Sequence, residues 1–177
     1  MSEEENQLPT NTFNEGLALV LPEYKSLPSI RMSLDSLKEA ERRLIEAKDL
    51  SPATYADLEH CFGEAYRDLK RHLATVGYQI LRMESELNKL KSIVILDKLP
   101  EYLKDKPKTA NTASVRDAYI GSDPEVQVAR DRLDSLKAME IFMEGRIKVM
   151  ENVCRWMKVR MQLIIRSGLS GQNLYSR

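Results

Sequence analysis

Along the second half of the chain, apolar residues recur in steps of three and four: Val126, Ala129, Leu133, Leu136, Met143, Ile147, Met150, Cys154, Met157, Met161 and Ile164. One slot of this ladder, Glu140, is charged. Such a ladder is the seam of a coiled-coil-like helix. It opens at Ser122-Asp123-Pro124-Glu125, which supplies a capping side chain, a proline at the first helical position and an acid in the first turn. It closes at Gly168, a favoured residue at a helix C-terminus, with Arg166 in the last turn. A helix of about 43 residues is roughly 65 Å long. No globular core of this size needs such a helix, so the pattern predicts packing against partner helices, the chain's own or another subunit's.

A second ladder precedes it: Phe62, Tyr66, Leu69, Leu73, Val76, Ile80, Met83, Leu87, Leu90 and Val94. Ser51-Pro52 starts this helix, and Pro100 predicts its end near Leu99, a length of about 47 residues or roughly 70 Å. Gly63 and Gly77 each weaken it by about 1 kcal/mol relative to alanine. Upstream, Ser29 or Ser33 is positioned to cap a first helix reaching about Asp49, with the stripe Leu34, Leu37, Ala40, Leu44 and Ala47. Residues 100–112 form a polar, lysine-rich connection, after which Thr112 or Ser114 caps a short helix through about Ile120.

The predicted fold is all-α: an antiparallel hairpin of two long helices with a shorter N-terminal helix, coiled-coil-like and oligomeric. Residues 29–168 form the helical domain. Residues 1–28, with Pro9, Pro22 and Pro28, read as a flexible arm whose run Leu17–Leu21 orders on contact with a partner or subunit. Residues 169–177 read as a flexible tail, with Leu174-Tyr175 a short docking motif. The last helix also carries a second stripe, Met139, Phe142, Val149, Val153, Trp156 and Leu163, so two of its faces are expected to be buried. A homo-oligomer uses both faces; the alternative is a monomeric three-helix bundle.

Composition narrows the function classes. Among 177 residues, 31% are charged and only seven are glycine, which suits long surface-rich helices better than a compact α/β enzyme. Cys61 and Cys154 lie inside helical patterns without CxxC spacing and read as structural thiols of a reducing, cytoplasmic compartment. The start, Met1-Ser2-Glu3-Glu4-Glu5, is acidic where a signal peptide is basic, and no apolar run is long enough to span a membrane. Net charge is zero but unevenly spread: residues 1–66 balance to −7 and residues 67–177 to +7. That polarity offers a basic face to an anion such as nucleic acid, or reflects chance partition over solvated helices.

Catalytic signatures are missing from the sequence. His60 and His72 share the second helix, and Asp57 stands three before His60, but a di-metal bundle needs two Glu-x-x-His pairs. There is no HExxH, Walker loop, GxGxxG or GxSxG, so neither an enzyme, a metal nor a cofactor is predicted. Binding remains. Lys148, Arg155 and Lys158 recur at spacings of seven and three, Arg146 and Arg160 flank the second stripe, Arg166 ends the helix, and Trp156 sits among them. Lys91, Lys98, Lys104, Lys106, Lys108 and Arg116, with Tyr102 and Tyr119, add a second basic cluster in and around the connection. Cations along a groove contact phosphates and aromatics stack on unpaired bases; equally, a tryptophan at helical spacing belongs to a core and a lysine-rich loop is merely solvated.

The segment Ser114-Val-Arg-Asp-Ala-Tyr-Ile-Gly-Ser-Asp-Pro-Glu-Val126, followed by a long helix ending near Arg166-Ser-Gly168, resembles the C-terminal half of phage recombination mediator proteins of the UvsY kind. The upstream helix ending Ile95-Leu96-Asp97 and the polar connection are similar in order and length, so the resemblance covers about residues 70–168. It implies a ring-like homo-oligomer that binds single-stranded DNA, contacts a single-strand-binding protein and a RecA-like recombinase, and helps load that recombinase. Of the family's DNA-binding motif, Lys-Ala-Arg-Leu-Asp and two aromatics, only Leu96-Asp97 match: Ile95 replaces the arginine and Lys98-Leu99 the aromatics. Lys91 and Lys98 keep basic charge nearby. Two other readings stand: a coiled-coil scaffold or virion assembly protein without a DNA role, and a holding chaperone using the methionines Met139, Met143, Met150, Met157 and Met161.

Overall fold

The computed structural model describes residues 18–25, 27–107 and 111–172. The chain is mostly helical with one small two-stranded sheet. In order come β1 (Ala18–Leu21), β2 (Ile30–Ser33), α1 (Asp35–Arg42), a 3-10 turn (Glu46–Asp49), α2 (Pro52–Ile93), a π-helical turn (Val94–Lys98), α3 (Leu99–Leu103), α4 (Ala113–Ser122) and α5 (Pro124–Gln172). The described residues fall into two compact units, one of residues up to 68 with those from 149 onward, the other of Leu69–Lys148. Both long helices pass through each unit.

The first unit contains the sheet. Strands β1 and β2 are antiparallel, with Ala18 opposite Ser33 and Leu21 opposite Ile30. Between them Tyr24 and Leu27 exchange both backbone hydrogen bonds, at 2.9 and 2.8 Å, and Lys25 takes a left-handed φ of 49°. Ala18–Leu21, the described part of the run read above as waiting for a partner, thus forms a strand that pairs with the chain itself. Alternation puts Leu21, Ile30 and Met32 inside, joined by Leu27 and Leu34. The strand β2 also displaces the helix start from Ser29. Ser33 Oγ accepts the Asp35 N–H at 3.1 Å, and α1 stops at Arg42 rather than running to Asp49. Its stripe is nonetheless the predicted one, with Leu34, Leu37, Ala40 and Ala47 buried. At the start of α2, Ser51 and Thr54 cap reciprocally: the Thr54 N–H donates to Ser51 Oγ and the Ser51 N–H to Thr54 Oγ1.

In the second unit the ion pairs set direction. Glu84 of α2 pairs with Lys137 of α5 at 3.0 Å, and Lys98 pairs with Asp123. As α5 advances from 123 to 137 its partners retreat from 98 to 84, so the two segments run in opposite senses here. Helical structure also continues past Pro100. Proline has no N–H to give and its ring crowds the carbonyl four residues back. The π turn resolves this: the Leu99 N–H reaches the Val94 carbonyl five residues back, and α3 starts with proline in its first turn. Thr112 caps α4, accepting the Val115 N–H at 3.4 Å. Asp123 caps α5, its Oδ1 accepting the Glu125 and Val126 N–H groups at 3.1 and 3.3 Å. The helix continues four residues beyond Gly168 to Gln172.

Burial follows the two seams. Val126, Ala129, Leu133, Leu136, Met143, Ile147, Met150 and Met157 of α5 are buried, as are Phe62, Leu69, Val76, Ile80, Met83, Leu87 and Leu90 of α2 and Val94 of the π turn. Glu140, the charged slot, is half-buried. Two long polar side chains are buried as well, Gln79 and Arg132.

Asp123 combines three tasks, since its carboxylate caps α5, pairs with Lys98 and lies buried. Its bond to the Lys98 ammonium, helped by the two backbone N–H groups, holds the Asp123 carboxyl below the usual range. The stabilisation is therefore fully present above about pH 4, the unfolded carboxylate value, and is lost as pH falls through the lower folded value. Asp123→Ala is expected to cost about 1–2 kcal/mol in urea denaturation at pH 7 through loss of the cap. Asp123→Asn keeps a capping oxygen and costs less, and neither variant shows this part of the acid loss. Gln79 gives the opposite sign. Its Oε1 is buried without a hydrogen-bond partner among the described residues, so Gln79→Met is expected to leave stability unchanged or raise it by about 1 kcal/mol in the same assay.

Candidate nucleic-acid interface

The amphipathic seam decides what α5 shows to solvent. With Met150, Met157 and Ile147 turned inward, the opposite side is left exposed. In the first unit that side runs from Val149 to Arg166. Trp156 is 42% exposed, Val159 53% and Leu163 59%. At 100° per residue, Val149, Asn152, Val153, Arg155, Val159, Arg160, Leu163 and Arg166 all fall within about 100° of Trp156. The one acid in this stretch, Glu151, lies about 140° away. The exposed face therefore mixes apolar, aromatic and cationic groups, with Glu151 at its edge, four residues before Arg155.

Trp156 and Arg160 form its centre. They are four residues apart, hence neighbours on the helix surface, and the Arg160 guanidinium lies 5.1 Å from the centre of the indole ring. Arg155 and Arg166 are exposed beside them. Lys158, about 60° round the helix from Arg155 and 160° from Trp156, is engaged by Glu59 of α2 at 3.6 Å. The second unit holds the same device on its own stretch of α5. There the Arg146 guanidinium lies 5.4 Å from the Phe142 ring, and Lys148 is exposed. This aromatic–arginine pair, repeated after 14 residues, went unremarked in the sequence although its i, i+4 spacing is legible there.

The connection is organised differently. Tyr102 and Tyr119 stack, with centroids 4.3 Å apart. The Lys106 ammonium lies 3.4 Å from the Tyr102 ring centre, and the Tyr119 hydroxyl donates to the Lys98 carbonyl at 3.5 Å. Lys98 is engaged by Asp123, which raises its pKa above the ordinary lysine value, and Arg116 donates to Asn111 Oδ1 at 2.6 Å. Lys104 is exposed, Lys91 half-buried, and Lys108 lies outside the described residues. The aromatics here stack on each other and the cations serve local structure. Of the two basic clusters, the α5 face has the more open aromatic and cationic groups.

His60 pairs with Glu64 at 3.3 Å, and among the described residues no three histidine, cysteine or acidic side chains group as a metal site. Neither Cys61 nor Cys154 is in a disulfide. Partial burial pushes both thiols up, against the opposing pull of Arg43 on Cys61 and of Lys158 on Cys154. Raised thiol values disfavour the reactive thiolate. No helix among the described residues is long and apolar enough to cross a membrane. Comparison with protein families, curated proteins and solved structures finds no match to this chain.

Proposed function

We propose that this chain is a single-stranded DNA-binding protein of recombination, built as a coiled-coil-like hairpin and acting as a homo-oligomer that helps load a RecA-like recombinase onto strands held by a single-strand-binding protein. The observation that carries the DNA-binding part is the exposed face of α5, where Trp156 lies under Arg160 between Arg155 and Arg166. Arginines neutralise phosphates and an exposed indole accepts a base from an unpaired strand, whereas bases in a duplex stay stacked on one another. The loading role rests on the resemblance in residues 114–126 and on the order of short helix, Asp-Pro and long helix. The basic face also bears on assembly. A second copy laid against it brings arginine to arginine, so we assign self-association to exposed apolar residues elsewhere, chiefly Leu81 of α2, 68% exposed, and Leu96 in the π turn, 72% exposed.

Fluorescence anisotropy with a labelled mixed-sequence oligonucleotide tests this reading. Contacts from Arg155, Arg160 and Arg166 give a log–log salt slope of about −2, a loss of roughly 20-fold between about 50 and 200 mM salt. Trp156→Ala is expected to cost about 1–3 kcal/mol without changing the slope. Arg155→Gln with Arg160→Gln flattens the slope by more than about one unit. No binding at low salt, or equal affinity for the duplex, refutes the reading and leaves the scaffold without a DNA role. In light scattering, Leu81→Glu with Leu96→Glu is expected to lower the assembly mass.

A further inference from the structure

In the second unit, the side of α2 opposite its buried seam carries a line of its own. Ala74, Tyr78, Leu81, Ser85, Asn88 and Ser92 step by four and three, and all are exposed. Tyr78 is 59% exposed and Leu81 68%. At 100° per residue the six fall within an arc of about 80°, over about 27 Å of helix. The line runs on into the π turn, where Ile95 and Leu96 are exposed. The charged residues of the same stretch, Arg82, Glu84, Glu86, Lys89 and Lys91, all lie outside the arc. Glu84 and Lys91 flank one edge, Lys89 and Arg82 the other. An uncharged line in steps of three and four, set between charged edges, is the pattern of a helix that pairs with another helix.

We propose that this line is the seam of a parallel, in-register pairing with a second copy of the chain, in which Leu81 meets Leu81 and Asn88 meets Asn88. The inference deepens the homo-oligomer reading and rests on it, but not on DNA binding. Three features select this occupant. No cation lies in the arc, so it offers nothing to a phosphate backbone. The two edges complement each other: in a parallel pair Glu84 faces Lys89 of the partner subunit on both sides of the seam, and no like charges are directly opposed. Antiparallel copies with the same overlap set Arg82 against Lys89 instead, twice. Glu84 Oε1 pairs with Lys137 of its own chain at 3.0 Å, and a carboxylate has a second oxygen for a second cation. Lastly, an asparagine in such a seam bonds to its twin at the same level, which fixes the register at a cost in stability.

Disulfide trapping in the full chain reads the orientation. Leu81→Cys is combined with Cys61→Ser and Cys154→Ser and oxidised with copper–phenanthroline, beside Ile141→Cys in the same background. Ile141 is exposed on α5 and sets the collisional rate. In a parallel pair the two copies of position 81 stand about 6 Å apart between Cα atoms, within disulfide reach. In an antiparallel pair position 81 faces position 92, and its two copies are about 16 Å apart. Leu81→Cys is therefore expected to link at least about fivefold faster than Ile141→Cys. Lys89→Glu, in the otherwise unaltered chain, sets two glutamates against Glu84 and is expected to raise the dimer dissociation constant about tenfold in sedimentation equilibrium. If the unaltered chain is monomeric at every concentration, the homo-oligomer reading falls and this pairing with it. If the chain associates but Leu81→Cys links no faster than Ile141→Cys, or Lys89→Glu leaves the constant unchanged, the homo-oligomer stands and this seam falls. If Leu81→Cys links only when mixed with Ser92→Cys, the parallel arrangement is overturned.

Discussion

The structure depends on the burial of two long apolar stripes. An α-helix of forty residues satisfies its own backbone but has no means of hiding a continuous apolar seam, and in water that seam is the main free-energy term available to a chain with so few aromatic residues. In the second unit the seams of α2 and α5 are the bulk of what is buried; in the first, the segment from β1 to the 3-10 turn buries apolar residues alongside them. The two-stranded sheet, with α1, adds apolar cover in the first unit. In the second, the segment from the π turn to Asp123 returns the chain, and the Lys98–Asp123 pair ties the end of one long segment to the start of the other.

The same constraint creates the exposed face. A helix with one buried seam has more than half of its circumference left over, and on α5 that remainder is unusual for a solvated surface. From Val149 to Arg166 it keeps tryptophan, valine and leucine exposed, and the single acid of that stretch, Glu151, lies about 140° from Trp156. Ordinary solvated helices alternate acids and bases, which support each other at i, i+4 spacing. Here the i, i+4 partner of Arg146 and of Arg160 is an aromatic ring, one in each unit.

Periodicity made the long helices legible, because a three-and-four ladder sustained over ten turns has no other reading, and the predicted seam of α5 is largely the buried set. What escaped was local. The strand at Ala18–Leu21 is too short to show an alternation, and its pairing partner lies beyond two prolines, so nothing in the pattern separates a hairpin from an arm. Gly168 predicted an ending that the backbone ignores, since a glycine permits a C-cap without requiring one. Lys158 is basic at the right spacing for a shared surface with Arg155, yet α2 offers Glu59 at its reach, and such a cross-helix choice depends on packing no single helix reveals. The second apolar stripe stays partly exposed, and the arginines that the sequence placed at its edge stand close to its aromatic rings.

The π turn at Val94–Lys98 carries a consequence for how this chain tolerates insertion. The buried positions step by three from Leu87 to Leu90, by four to Val94, and then by five to Leu99. Five residues in one turn is one more than an α-helix allows, and the additional residue is absorbed as a wider loop of backbone instead of being passed down the helix. The turn therefore works as a phase shifter. Without it, every residue beyond Val94 would be rotated by about 100°, and Leu99 would face water while its neighbours turned inward. A single-residue insertion, ordinarily ruinous in a seam that counts threes and fours, is thereby confined to one turn, and Pro100 sits where that confinement also spares it a clash.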